Sequence, residues 1–573
     1  MPIYETTTSP SPKSDLMEKL QREKKVARLF QERKHDDWNE TYELSRGKVR
    51  TNRLTQRQAV NIPLMKETEK TILSRIDETP TVEWKELSGD EMKELIMQSM
   101  WEDFADKRNI EAIDMQDKKT AIRYGRPTKK IVPGKEFYPS VHALDIYDVV
   151  YDPLMDPLDI ESARFVIHQN IFRSVREVLA DKKYSEEGKS TLKKWAYSKD
   201  GIVQSARNKE EWEKRMERLE AMGVSSNDFP LFSGGDVIAN LTEHYTNIWN
   251  TKTEKFERRV VTYCDDTIEL LDKNLKELIG IEEYPFVTWA DDIETNDLWS
   301  DSIDDLIRVP NKLINIWFSQ LSENRTLKNF QMHWYDSTNQ GYQPQTYEPG
   351  PGRMLPAPGD PNKTILPVNI SGLDDTLEAI NFLTAVVERG TGATAIEKGI
   401  GEQKKQTLGE VEILVGKAME RSISMAKFYR RSWYDFARKW YAIMEANARG
   451  NKKLYKTGRS GKMFEKKVFR GDWVSEAGYN PIIRSSSEQE QENVKGIQKF
   501  QFLMSMFPMN LALRKIAQKR SLEMVDLTPA ELQEVEEGEK QAQEMMQQQP
   551  MQQPAQSMQT QPQPMQPQLT ATA

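Results

Sequence analysis

The feature that most constrains this chain is an apolar series of helical period: Val411, Leu414, Val415 and Ala418, then Met425, Tyr429, Trp433, Phe436, Trp440 and Ile443. Thr407 with Glu410 three residues on supplies a capping-box start, and the spacing predicts one helix from Thr407 to about Ala448. A stripe of that length must be covered, by a core or by neighbouring subunits. At this spacing Tyr429, Trp433, Phe436 and Trp440 read as packing residues in preference to a base-stacking platform.

Two further helices precede it. Ser302-Ile303-Asp304-Asp305 has the form of a capped start with an acidic first turn. Ile303, Leu306, Ile307, Leu313, Ile314, Trp317 and Leu321 then carry an apolar stripe toward Trp334, with Pro310 as the expected kink. At about 1.5 Å per residue such a rod is on the order of 48 Å long. Leu377, Ile380, Phe382, Leu383, Val386 and Val387 predict a second helix over Leu373 to Glu388. Between the two, residues 337–371 are dense in proline and glycine, which neither a helix nor a central strand tolerates. After the second, GTGATAIEKGIGEQKKQ (390–406) is a glycine-rich loop of mixed charge.

Toward the N-terminus, residues 14–45 predict solvent-exposed helices with one packed stripe through Leu16, Leu20, Val26, Leu29 and Phe30. A helical run from Val60 is closed by Pro80 and the β-prone Thr81-Val82-Glu83-Trp84, and Glu91 to Arg123 is helical again. Residues 137–183 alternate through Ile146, Asp148 and Val150. They then turn at Asp152-Pro153 and Asp156-Pro157, form a strand over Ala163 to His168, and start a helix at Ser174 with Glu177 three residues on. Residues 236–272 predict a hairpin turning at Asn250-Thr251-Lys252. Residues 449–470 hold nine basic residues against the single acidic Glu465. From Ser485 the chain is helical and polar, and from about Met545 it is a Gln/Met/Pro tract that cannot bury a core. The fold class that follows is α+β, mainly α.

Several chemistries find no support in these residues. A P-loop needs GxxxxGK[ST], and the glycines around 390–401 precede Glu402-Gln403, so an ATPase is not expected. His35, His142, His168, His244 and His333 are scattered, and Cys264 is the only cysteine, so neither a catalytic metal nor a disulfide is expected. Asp152, Asp156, Asp159 and Glu161 fit either a divalent cation or, as the favoured reading, turn formation and surface charge. No apolar run reaches the ~18 residues of a spanning helix. The N-terminal MPIYETTTSPSPKSD lacks a secretory pattern, so a cytoplasmic origin and no membrane are expected. The formal charge of −8 argues against a simple duplex-binding module. It is compatible with a wall along which DNA slides.

The order of these segments resembles that of the portal (head-to-tail connector) proteins of tailed bacteriophages. VHALDIYDVVYDPLMDPLDIESARFVIHQNIFRSVREVLA is similar to the portal segment in which an acidic Asp-Pro turn precedes a strand and a helix. Tyr284-Pro285-Phe286-Val287 followed by SDSIDDLIRVPNKLINIWFSQLSENRT resembles the entry to the portal stem, and Thr407-Leu408-Gly409-Glu410-Val411 the start of the long helix after the tunnel loop. The resemblance spans roughly residues 20 to 530 and rests on order more than on any single motif.

It implies a portal-type fold assembled as a ring. The expected parts are a flexible N-terminus (1–12), a wing (13–285), a first stem helix (286–336), a clip (337–371) and a second stem helix (372–390). A tunnel loop (391–407), the wing's long helix and strands (408–484), a crown (485–544) and a disordered tail (545–573) complete it. The implied function is a non-enzymatic dodecameric DNA channel at one capsid vertex, needing no cofactor and no metal, assembled in host cytoplasm and carried in the virion. Implied partners are copies of itself, the terminase large subunit, a head-completion or tail adaptor protein, major capsid and scaffolding proteins, and double-stranded DNA bound without sequence specificity.

Three sets of residues are the candidates for those contacts. Glu397, Lys398, Glu402, Lys404 and Lys405 of the tunnel loop nearly cancel in charge, which suits a sliding duplex; an ordinary flexible connector is the other reading. Tyr342, Tyr347, Arg353, Met354 and Lys363 of the clip would dock partners. Lys452, Lys453, Lys456, Arg459 and Lys462 either face DNA phosphates or lie on an exposed strand pair. Outside this family, the alternative is a helical cytoplasmic scaffold or adaptor that binds partners through the Pro-rich segment and has no DNA channel.

Overall fold

A computed structural model describes residues 12–47, 60–76, 80–134, 137–221, 237–250, 253–290, 292–294, 297–329, 333–335, 360, 365–367, 376–391, 408–457 and 463–484. The structure is mixed α and β, and no described helix is long and apolar enough to cross a membrane. The chain divides into two compact units, residues 1–452 with 468–486 and residues 453–467 with 487–573.

The first unit opens with α1 (Pro12–Ser45), α2 (Leu64–Arg75), β1 (Thr81–Glu86), α3 (Glu91–Arg108) and α4 (Ile110–Tyr124). Residues 14–45 lie in one unbroken helix whose packed face runs through Leu20 and Ala27, on Val261, Tyr263, Val150 and Ile167, whereas Val26, Leu29 and Phe30 of the expected stripe are exposed, one to three positions off that face. The expected run from Glu91 to Arg123 is split at Asn109, which takes φ 47° and caps α3 by donating its N–H to the carbonyls of Ala105 and Asp106. Asparagine visits the left-handed region more readily than most residues, so the break falls there.

Next come β2 (Thr128–Val132), β3 (Ser140–Leu144), β4 (Val149–Tyr151) and β5 (Phe165–Ser174). After α5 (Val175–Ala180), α6 (Glu186–Ala196) and α7 (Lys199–Ala221) follow β6 (Ile238–Asn250), β7 (Lys255–Cys264), β8 (Ile268–Asn274), α8 (Leu275–Ile279) and β9 (Phe286–Thr288). β4 to β8 form a five-stranded antiparallel sheet in sequence order, and β3-β2-β9 form a second, three-stranded one. The predicted hairpin is the β6–β7 pair, from Leu241↔Cys264 to Asn250↔Lys255. The predicted Ser174 cap is also present, its hydroxyl accepting from the Arg176 N–H at 3.3 Å. Between the layers Trp38, Val149, Tyr151, Val166, Tyr245, Phe286 and Trp299 share one core, while Val178 and Leu192 of the helices cover Leu270 in another.

The remaining elements are α9 (Ile303–Asn329), β10 (His333–Tyr335), β11 (Ile365–Pro367), α10 (Thr376–Thr391), α11 (Leu408–Asn447), β12 (Lys452–Thr457), β13 (Met463–Val468), α12 (Arg470–Trp473) and β14 (Tyr479–Arg484). α9 continues through Pro310 but stops at Asn329, short of the expected Trp334. Trp334 stands instead in β10, opposite Leu366 of β11, because the β-prone His333-Trp334-Tyr335 finds an antiparallel partner in Ile365-Leu366-Pro367. β14 returns to pair with β1, so that Thr81 meets Arg484 and Glu86 meets Tyr479. In the second unit the described residues are 453–457 and 463–467, the ribbon of β12 and β13 apart from Lys452 and Val468.

Candidate functional site

The helix pair that the sequence singles out begins as its capping residues dictate. The Ser302 hydroxyl accepts from the Asp305 N–H at 3.1 Å, and the Asp305 carboxylate accepts from the Ser302 N–H at 2.8 Å. α9 and α10 pack together, burying Ile307 and Ile314 with Ile380 and Val387, and Leu44, Leu64 and Met65 close the cluster. The inner face of α9 also carries polar groups. Asn315 accepts the Ile62 N–H at 2.8 Å, and the Ser319 hydroxyl accepts the Val60 N–H at 3.0 Å. On the outer faces Leu306 and Val309 of α9 and Leu377, Phe382 and Val386 of α10 are exposed. Large apolar side chains on adjoining helices are the composition expected of a contact surface.

Tyr429, Trp433, Phe436 and Trp440 are buried, which makes this part of the α11 stripe a core and not a platform for bases. The Trp440 ring meets Trp101 edge-on, with centroids 4.9 Å apart at 90°, and Phe104 at 4.9 Å. Under these rings lies a group of charges that the sequence pattern does not reveal. Asp114 and Asp117 of α4 face Lys118 and Lys129, with Lys118 2.8 Å from Asp114 and Lys129 2.9 Å from Asp117. Tyr429 donates to Asp114 at 2.5 Å and the Trp289 indole to Asp117 at 2.8 Å. Burial raises the Asp117 pKa, against the pull of Lys129. Lys130, one residue on and facing the other side of β2, binds Glu243, which also accepts from Lys183 at 3.3 Å and from Tyr245 at 2.9 Å. Desolvation opposes the Glu243 charge, but Lys130 and Lys183 hold its pKa well below the ordinary carboxylate value. Two adjacent lysines in a strand read as surface from sequence. Their counter-charges arrive from α4 and β6.

The acidic turn is used for turns and ion pairs. Asp152 takes Arg164 in two contacts of 2.6 Å and the Leu154 N–H at 3.1 Å. Asp156 accepts from the Leu158 N–H and Asp159 from the Glu161 N–H, each at 2.9 Å. Glu161 is shared by Arg258 and Lys439. Among the described residues there is no grouping of three His, Cys, Asp or Glu side chains that could hold a metal ion.

Of the basic-run candidates, β12 holds Lys452, Lys453 and Lys456. Lys452 belongs to the first unit, where it lies 3.4 Å from Asp103 and 4.4 Å from the centre of the Tyr138 ring. Burial and the neighbouring Lys107 lower its pKa, against the pull of Asp103. Lys453 is exposed. Arg459 and Lys462 lie outside the described residues, as do the clip residues Tyr342, Tyr347, Arg353, Met354 and Lys363 and the loop residues Glu397, Lys398, Glu402, Lys404 and Lys405. The described elements around these segments are β10, which precedes residues 337–371, β11, which lies within them, the end of α10 at Thr391 and the start of α11 at Leu408.

No protein-family model matches the chain, and no curated protein matches it. Among solved structures, one described as "Neck of empty GTA particle computed with C6 symmetry" is similar at a TM-score of 0.33 and 10% identity, over 67% of this chain and 79% of that one. A match at that level fixes neither fold family nor role.

Proposed function

We propose that the chain is a portal-type subunit: a structural, non-catalytic protein that assembles with copies of itself into a ring and conducts double-stranded DNA without reading its sequence. The observation that carries this reading is the succession of α9, the β10–β11 ribbon, α10 packed back on α9, and the 40-residue α11. That order is the one in which a portal's stem, clip, second stem helix and long wing helix occur. The exposed leucine, valine and phenylalanine side chains on α9 and α10 support subunit contact, since a ring joins different faces of neighbouring copies.

On this reading residues 337–371 dock a terminase during packaging and an adaptor protein afterwards, and residues 391–407 line the constriction. The protein would be carried at the portal vertex of a virion. Mass measurement of the purified chain tests the proposal: a single closed oligomer of many subunits is expected. Monomer or dimer alone, across concentrations and salts, would contradict it.

A further inference from the structure

α9 is joined to the rest of the first unit through two carboxyl groups that no pattern in the sequence marks. Asp304, in the first turn of α9, is fully buried, and among the described residues neither of its oxygens meets a hydrogen-bond donor. After burial, the group that acts most strongly on its charge is the carboxyl of Glu69 on α2. Glu69 is in turn held by Arg123 of α4, whose Nε and Nη2 donate at 3.1 and 2.8 Å. Two ionised carboxylates cannot hydrogen-bond to each other, and an ionised carboxylate buried without a donor is strongly disfavoured. A single proton removes both difficulties. Because the guanidinium is on Glu69, the proton belongs on Asp304.

We propose that Asp304 is protonated in the folded protein and donates to Glu69, forming a proton-dependent lock that fixes the start of α9 to α2 and α4. The inference is independent of ring formation. The charged groups around the pair are Glu69 on α2, Arg123 on α4 and Asp305 on α9 itself. On α1, Asp37 and Glu40 are engaged by Arg308 of α9 at 3.1 and 3.7 Å, and Asp305 by the same arginine at 2.6 Å. α10 meets α9 through the apolar Ile380 and Val387. Burial first, then Glu69, push the Asp304 pKa well above the ordinary carboxylate value, while Arg123 pulls it down. A raised folded-state pKa means that the lock is complete at low pH and is lost as pH rises through the folded value. Between the ordinary carboxylate value and that folded value, docking of α9 weakens by about tenfold per pH unit, the slope of one proton, and above it the dependence levels off.

The test uses the full chain. Difference infrared spectroscopy should show a protonated-carboxyl band that Asp304→Asn removes. Amide exchange in the first turns of α9, corrected for intrinsic rates, should lose protection as pH rises in the natural chain. In Asp304→Asn, whose amide still donates to Glu69, that loss should be absent. No acid band assignable to Asp304, or the same pH slope in both proteins, would overturn the lock. If the variant does not fold, the natural chain still decides the matter. A steeper loss of protection with rising pH in α9 than in α5, above the ordinary carboxylate value and up to the folded one, supports the lock, and equal slopes overturn it.

Discussion

The ammonium of Lys439, in the last quarter of α11, lies 2.7 Å from the carboxylate of Glu161 in the turn before β5. The same ammonium donates to the carbonyls of Tyr284 and Phe286 at 2.8 and 2.9 Å, and so satisfies three acceptors from two separate segments. The long helix is thereby tied to the acidic turn that sequence reading treats as an unrelated feature.

Lys439→Met should cost about 3 kcal/mol, since it leaves the carboxylate and two carbonyls short of a donor in a nearly buried site. Denaturant unfolding of the variant measures this; a loss under about 0.5 kcal/mol, the range of ordinary surface substitutions, would contradict the assignment. The pH dependence follows from Glu161. Burial opposes its charge, but Lys439 and Arg258 prevail and hold its pKa below the ordinary value. The pair therefore stabilises the fold above the unfolded-state pKa, and that contribution fades as pH falls through the lower, folded one. The difference between natural chain and variant should shrink on acidification.

Gly280 ends α8 at φ +89°, and a Cβ built there would lie 2.1 Å from the Cβ of Ala446 on α11. Gly280→Ala combines a strained backbone with a clash and should destabilise by about 2 kcal/mol. Pairing it with Ala446→Gly should recover part of the loss, the part due to the clash. Recovery of none of it would place the whole cost in the backbone.

Trp440→Ala removes a fully buried indole from among Trp101, Phe104 and Trp84, and should cost about 3–5 kcal/mol. If the stripe were instead a surface for bases, the same change would leave the unfolding midpoint in place and weaken binding of single-stranded DNA.

On the proposed channel reading, Lys398, Lys404 and Lys405 replaced together by Glu should leave assembly intact, because no apolar stripe is touched. DNA packaging or retention should fall, since the altered wall repels phosphates. Wild-type packaging and retention by the triple variant would remove the loop from the channel.

Local rules made much of the fold legible. Ser302 and Asp305 cap α9 as their spacing requires, Ser174 opens α5, and the apolar period of Tyr429, Trp433, Phe436 and Trp440 marks one buried face. Long-range pairing was not legible. Trp334 fits an apolar helical period equally well, and only the approach of Leu366 makes it a strand residue. The adjacent Lys129 and Lys130 look like surface until Asp117 and Glu243 meet them from opposite sides of β2. Asp304 reads as a helix-start acid, which it is; its burial against Glu69 depends on how α2 packs. The candidate contact residues of 337–371 and 391–407 lie outside the described residues, and the sequence supplies their composition.

Electron microscopy of the purified chain tests the central claim most directly. The account predicts closed rings of one cyclic symmetry, with a central channel wide enough to pass a DNA duplex. Compact monomers, open filaments, or rings with no through-channel would contradict it.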